Sequence, residues 1–394
     1  MNDTSQMNIV RKGNRIPFID VARGIAILLM IIGHVVSRGH VRDFIFSFHM
    51  PLFFITGGMC FRQKSVKSAL LTDLRKIIVP YALVLFVLDL WSGSLNLVYY
   101  LRQMFWAASW QNLNMYPADL GMVWALWFFP AFFLTRWIFR SLYRVSGGRL
   151  FRLAVLSLAV CLVGIAWGMQ GRHWLPLNLD VAMASVGFYC FGFFLQQSGW
   201  TDRLKPWTDR RQTDTTVTDR RQADTTMTDR RQADDIKIRQ TGSKRRDSLS
   251  NLRTSGHIAM LAEGVIWISG IYYCPIELAS RLYPMGIFSF ITAICGCMVV
   301  FRFSAWIGVH TRFLRRTLSW YGRYSNQILC FHALDCIPRA YLDAFLSFPK
   351  NPEAEHLVIS IWRILLSTAG TGIYLWIHSL AARIKAAVSG RHRA

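Results

Sequence analysis

The sequence is short of charged residues, which make up 17% of the chain, whereas hydrophobic residues make up 53%. Apolar runs of about 20 residues recur along it, and a helix needs about that length to cross a hydrocarbon core of roughly 30 Å. So little charge combined with such long apolar runs argues against a soluble globular protein. The sequence therefore predicts an all-α polytopic membrane protein whose surroundings are a lipid bilayer.

Acidic residues are scarcer still, with 22 Asp and Glu against 45 Lys and Arg, which gives a net charge of +23. A basic surface is the usual electrostatic footprint of nucleic-acid binding. In membrane proteins, however, Lys and Arg also accumulate in the cytoplasmic loops. We favour this second explanation and expect no nucleic-acid partner.

Several sequence motifs of catalytic and metal sites are missing. No C-x-x-C or H-E-x-x-H segment occurs, and nearly all of the eight cysteines lie inside apolar runs, where a free thiol behaves as a small hydrophobe. We therefore expect no disulfide framework and no metal site. The sequence also lacks a G-x-S-x-G elbow and a glycine-rich phosphate loop. A phosphorylated donor would have to be held by basic side chains, for which Arg23, Arg75 and Lys76 are candidates.

Ten apolar segments are candidate membrane spans, and the loops between them indicate an orientation. If the N-terminus is cytoplasmic, the even-numbered loops lie inside, and these loops are the richest in Lys and Arg. The sequence thus predicts about ten transmembrane helices with both termini in the cytoplasm. The predicted spans are 17–37, 44–62, 77–94, 121–139, 151–170, 178–197, 257–275, 284–303, 324–341 and 357–380.

The segment 198–256 differs from the rest of the chain. It carries a tandem ten-residue repeat that begins TDRRQ at Thr208, Thr218 and Thr228. It has too few apolar residues to bury a core, so we predict a disordered, basic cytoplasmic linker. The linker divides one membrane domain into residues 1–197, with six helices and the candidate site, and residues 257–394, with the last four helices.

Ionisable residues interrupt the first two predicted spans. Asp20, Arg23, His34 and His49 lie in otherwise apolar sequence, and such residues are costly in a bilayer unless they serve a function. Arg23 and His34 are eleven residues apart, which places them on one helix face and separates them by roughly 16 Å along the axis. Asp20 lies one turn before Arg23, within reach of a salt bridge. The pattern predicts a polar stripe on the first helix.

The histidines have two possible uses. A histidine acts readily as a general base near neutral pH, and His49 lies in FHMP, where Pro51 breaks the regular backbone hydrogen bonding. The rival use is a metal site formed by His34, His49 and His332. Because no carboxylate lies at ligand spacing, we favour acid–base chemistry in a cavity between the first two spans.

These residues resemble a known family. The sequence DVARG at 20–24, the ten residues that separate Arg23 from His34, and FHMPLFF at 48–54 closely resemble the integral-membrane acyltransferase-3 superfamily. The branch that they most resemble is that of the fucose 4-O-acetylase-like proteins. Further similar segments are RKIIVPY at 75–81, LWFF at 126–129, FYCFG at 188–192, YGRYSN at 321–326 and FH at 331–332.

The resemblance implies an O-acyltransferase, usually an O-acetyltransferase, in a bacterial inner membrane. The donor would be a cytoplasmic acyl-CoA such as acetyl-CoA, bound as substrate with no resident cofactor, and the acceptor a hydroxyl of a cell-envelope glycan. It also implies roles for individual residues. His34 would be the catalytic histidine, Arg23 would bind the donor or position the site, and Asp20 would orient Arg23. The implied substrate-binding or donor-binding residues are His49, Arg75, Lys76, Trp127, Ser325 and His332.

Two questions stay open at this point. A transporter or flippase would use the same polar cavity without covalent chemistry, although no half-to-half sequence similarity indicates one. The remaining intramembrane charges also need partners, which the sequence alone does not identify. These charges are Asp89, Asp180, Glu263, Asp335 and Arg363.

Overall fold

A computed structural model describes most of the chain. The described residues are 17–36, 39–93, 96–109, 123–171, 173–204, 258–337 and 351–391. Within these ranges the regular structure is helical and no β-strand occurs, which confirms the predicted all-α fold. Residues 205–257 lie outside the described residues, and the prediction of a disordered linker falls almost entirely on them.

In the first half of the chain, the described residues form ten helices and three short helical segments. The helices are α1 (Pro17–Gly33), α2 (His40–Phe46), α3 (His49–Met59), α4 (Val66–Asp73), α5 (Val79–Trp91), α6 (Leu97–Trp106), α7 (Phe128–Val145), α8 (Leu150–Met169), α9 (Leu179–Gln197) and α10 (Trp200–Leu204). A π-helical turn, Leu74–Ile78, joins α4 to α5, and the 3₁₀ turns Trp124–Trp127 and Pro176–Asn178 precede α7 and α9.

The described residues of the second half form five more helices. These are α11 (Ile258–Tyr273), α12 (Ile287–His310), α13 (Arg312–Arg323), α14 (Ser325–Ala333) and α15 (Pro352–Arg391). The two halves pack against each other. The ring of Phe188 in α9 stacks on that of Phe290 in α12 with centroids 4.6 Å apart, and Trp267 Nε1 in α11 donates a hydrogen bond to Ser47 Oγ at 2.8 Å.

Four described segments are long and apolar enough to cross a membrane: Leu150–Met169, Pro176–Gln197, Ile287–His310 and Pro352–Ile384. The shorter apolar helix Ile258–Tyr273 falls at another predicted span. Predicted span 44–62 is divided, because α2 ends at Phe46 and α3 begins at His49. The number of ten crossings therefore stays a prediction.

The position of α1 in the bundle is fixed by two glycines. A β-carbon at Gly24 would overlap the carbonyl oxygen of Leu318 in α13, and one at Gly322 would overlap the carbonyl oxygen of Asp20 in α1. Small residues let two helix backbones approach this closely inside a membrane. The contact sets α1, which carries the polar stripe, against the helix that leads directly into Ser325.

Replacing Gly24 with Ala is expected to destabilise the protein by about 1–3 kcal/mol, because a methyl group is forced into a packed backbone contact. The matched control is Gly264→Ala in α11, where an added β-carbon meets nothing within 4 Å. Thermal unfolding of both purified variants in detergent measures the difference. A Gly24→Ala midpoint equal to that of Gly264→Ala would contradict the close packing.

Candidate functional site

The N-terminal half of α1 is connected to the second half of the chain through Arg23. Its Nη2 donates a hydrogen bond to Ser325 Oγ at 2.8 Å across 302 residues of sequence. Ser325 is only 2% exposed and is the first residue of α14, directly after the glycine contact between α1 and α13. The structure thus brings together two of the predicted site residues.

His34 lies just beyond the last residue of α1. Its Nδ1 is 2.7 Å from the carbonyl oxygen of Met30, and since a carbonyl only accepts, Nδ1 must carry the hydrogen. The lone pair of the neutral ring is then on Nε2. His49 repeats the arrangement, with its Nδ1 2.8 Å from the carbonyl oxygen of Ile45. Each ring therefore keeps one nitrogen available to accept a proton.

Both histidines line a narrow, partly open cavity. Trp127, which ends the 3₁₀ turn before α7, is 4% exposed and contributes to the wall. The cavity thus contains three of the predicted site residues, His34, His49 and Trp127. The other lining residues are Met30, Phe46, Met50, Ala125, Leu278, Ala279 and Leu329.

His332 lies against His34 from the side of α14. The two ring centroids are 5.3 Å apart in an edge-to-face arrangement, and His332 is only 4% exposed. Its Nδ1 is 2.9 Å from Asp335 Oδ2, and the same carboxylate oxygen is 3.3 Å from Arg363 Nε of α15. A buried row of ionisable groups therefore begins at His34 and runs away from the cavity.

The loop between α11 and α12 supplies one wall of the cavity through Leu278 and Ala279. A buried ion pair holds this loop, with Arg281 Nη1 2.9 Å from Asp180 Oδ2 at the start of α9. The two side chains are 1% and 0% exposed, and the Arg281 guanidinium also lies 4.1 Å from the centre of the Trp174 ring. The wall is thus fastened to the first half of the chain.

A second ion pair and a hydrogen bond secure the same loop. Arg42 Nη2 is 2.8 Å from Glu277 Oε1, and the Ser109 hydroxyl donates to the carbonyl oxygen of Ala279. The loop is therefore attached to α9 through Arg281, to α2 through Glu277 and to Ser109 through Ala279. Neither the loop nor its attachments was predicted from the sequence, although the charge of Asp180 inside an apolar span was a signal that it needs a partner.

The remaining predicted residues lie away from the cavity lining. Arg75 and Lys76 are exposed on the π-helical turn between α4 and α5. Asp20 and Arg23 lie in the first two turns of α1, at the opposite end of that helix from His34. In the described part of the chain, no three His, Cys, Asp or Glu side chains come together as a set of metal ligands.

The sequence was also compared with protein families. Residues 16–378 match a family model described as an acyltransferase domain, Acyl_transf_3. The chain belongs to the acyltransferase-3 family. This match confirms the superfamily predicted from the motifs and shows that the protein is an integral-membrane acyltransferase. No curated protein and no solved structure gives a significant match.

The geometry of this acyltransferase suits acyl transfer. Acyl transfer needs a base that removes a proton from the attacking group. The imidazole of His34 provides an Nε2 lone pair in a cavity whose other lining residues are mostly apolar.

Proposed function

We propose that this acyltransferase moves an acetyl group from cytoplasmic acetyl-CoA, or another acyl group from its CoA ester, to a hydroxyl of a cell-envelope glycan. The single observation that carries the proposal is the His34 imidazole in the cavity, with Nδ1 fixed by the Met30 carbonyl oxygen at 2.7 Å. We place the enzyme in a bacterial inner membrane and in the fucose 4-O-acetylase-like branch, on the strength of the motifs quoted above.

The proposed reaction is a single acyl transfer. Nε2 of His34 takes the proton from the acceptor hydroxyl, and the oxygen attacks the thioester carbonyl carbon. A carbon–oxygen bond forms, the carbon–sulfur bond breaks, and CoA leaves as a thiolate. The protonated His34 returns its proton to that thiolate, so the enzyme ends as it began. General-base catalysis of this kind contributes about 10²–10⁴-fold to a rate.

The donor would reach His34 along α1. CoA carries phosphates that cannot cross a bilayer, but its pantetheine arm is long and thin. A separation of roughly 16 Å along the helix lets Arg23 hold one part of the donor while the thioester lies at His34. The hydrogen bond from Arg23 Nη2 to Ser325 Oγ fixes the guanidinium, and we assign Asp20 a supporting role in orienting it.

The outer groups would then bind the acceptor. His49 and Trp127 line the cavity beside His34, and an aromatic ring with a nearby imidazole is suited to a sugar, which has one apolar face and several hydroxyls. Arg75 and Lys76, exposed at the π-helical turn, would meet the phosphates of CoA as it approaches from the cytoplasm.

The direct test uses purified protein in proteoliposomes with acetyl-CoA labelled in its acetyl group and an extract of envelope glycans. We expect label to move to the glycan fraction in an ester that mild base removes. Movement of unlabelled glycan across the vesicle membrane without transfer of label would instead indicate the transporter that the sequence left as the alternative. Hydrolysis of acetyl-CoA with no labelled glycan would mean that the acceptor class is wrong.

A further inference from the structure

A row of ionisable groups, His332, Asp335 and Arg363, lies behind His34. His332 is absent from the cavity lining, and it contacts His34 edge to face at a centroid distance of 5.3 Å. This contact gives His332 a way to act on the reaction through the His34 ring. A residue of this kind is a positioning residue.

Asp335 is shared between two cationic or potentially cationic partners. Its Oδ2 is 2.9 Å from His332 Nδ1 and 3.3 Å from Arg363 Nε. Asp335 is 3% exposed, and a charge buried to that degree is retained only if it is paired. The carboxylate also links α14, through His332, to α15, through Arg363.

We propose that Asp335, held by Arg363, fixes the His332 ring and through it the orientation of His34 that catalysis requires. His34 has one hydrogen bond in the described structure, from Nδ1 to the Met30 carbonyl oxygen. A single bond leaves the ring free to tilt about it. The edge-to-face contact with His332 removes that freedom, so that Nε2 faces the acceptor hydroxyl. This inference rests on the acyl-transfer function proposed above.

The expected change in kcat follows from the proposed role of Asp335 and His332 in positioning His34. A misoriented general base accelerates the reaction less, but the contacts between enzyme and substrates stay intact. We therefore expect kcat to fall while KM stays nearly constant. We expect Asp335→Asn to lower kcat about 10–100-fold, with the KM values for acyl-CoA and acceptor changed less than about twofold. His332→Gln is expected to give a similar loss.

The experiment must separate positioning from stability, because Asp335→Asn removes the carboxylate charge that lies 3.3 Å from Arg363 Nε. The double variant Asp335→Asn/Arg363→Gln removes both charges and is expected to recover the unfolding midpoint without recovering kcat. The control is Glu263→Gln, which breaks the Glu263–Arg302 pair between α11 and α12 and is expected to leave kcat unchanged.

Each outcome of this experiment has a definite meaning. If the double variant regains wild-type kcat together with its stability, Asp335 is only structural and the inference is wrong. Wild-type kcat in both Asp335→Asn and His332→Gln would also overturn it. A wild-type protein that transfers no acyl group at all would instead contradict the proposed function, since the variants are compared only with an active parent.

Discussion

Replacing His34 with Gln is expected to lower kcat for acyl transfer by about 10³-fold, within the range attributed to a general base. Gln is similar in size to His and retains a hydrogen-bond donor for the Met30 carbonyl oxygen, which His34 Nδ1 contacts at 2.7 Å. It has no nitrogen that accepts a proton near neutral pH. The substitution therefore removes the base and leaves the cavity in place.

The matched control for this variant is His310→Gln. His310 ends α12, and its Nδ1 lies 2.9 Å from the carbonyl oxygen of Trp306, four residues earlier, as in His34. His310 is exposed and lies outside the cavity lining. Initial rates with labelled acyl-CoA and glycan extract measure both variants. If His34→Gln keeps a rate near that of His310→Gln, then His34 is not the base.

Replacing Arg281 with Gln is expected to cost about 3–5 kcal/mol of stability, the usual result of removing one partner from a buried ion pair. Asp180 is left with its charge in the protein interior, where both side chains of the pair are almost fully excluded from solvent. The loop that carries Leu278 and Ala279 also loses its main attachment. We therefore expect lower activity even at temperatures where the variant is folded.

Two further variants serve as controls for the stability cost of Arg281→Gln. The double variant Arg281→Gln/Asp180→Asn has no unpaired charge and is expected to recover much of the lost stability, as seen when both partners of a buried pair are replaced. Arg302→Gln breaks a pair whose side chains are 20% exposed, so its cost is expected to be smaller. Thermal unfolding in detergent that shows Arg281→Gln to be no worse than Arg302→Gln would contradict the proposed anchoring of the loop.

The relative positions of Arg23 and His34 could be predicted from the sequence, because they depend only on the local geometry of one helix. The spacing between Arg23 and His34 fixes their common face and axial separation once the segment is helical, and α1 runs as one helix from Pro17 to Gly33. The surrounding motifs also sufficed to predict the superfamily, which the match over residues 16–378 confirms. The roles of the individual residues remain proposals.

The partners of the charges in the apolar spans could not be predicted, because they come from other helices and loops that packing brings close. Asp180 pairs with Arg281 across 101 residues, and Glu263 is 2.9 Å from Arg302 in the neighbouring helix. Each of these charges stands out in an apolar span, so the need for a partner was visible. The identity of the partner is determined by how the helices pack, and the periodicity of apolar residues in the sequence does not predict that packing.

Local breaks in the helices were also beyond the sequence pattern. A continuous apolar run suggested one span over 44–62, but the backbone turns at Ser47 and Phe48, between α2 and α3. This break matters for the site, since it places Phe46 and His49 on the same cavity. An apolar run in the sequence predicts that a segment is buried and how long it is. A change of helix direction depends instead on tertiary contacts, such as the hydrogen bond from Trp267 to Ser47.

The central claim is that the His34 cavity transfers acyl groups to an envelope glycan. The most direct measurement is the base-labile acyl content of surface glycans in a deletion strain complemented with wild type, with His34→Gln or with His310→Gln at matched membrane levels. The account predicts that wild type and His310→Gln restore the acyl groups and that His34→Gln does not. Equal acylation in the deletion strain and in all three complemented strains would contradict it.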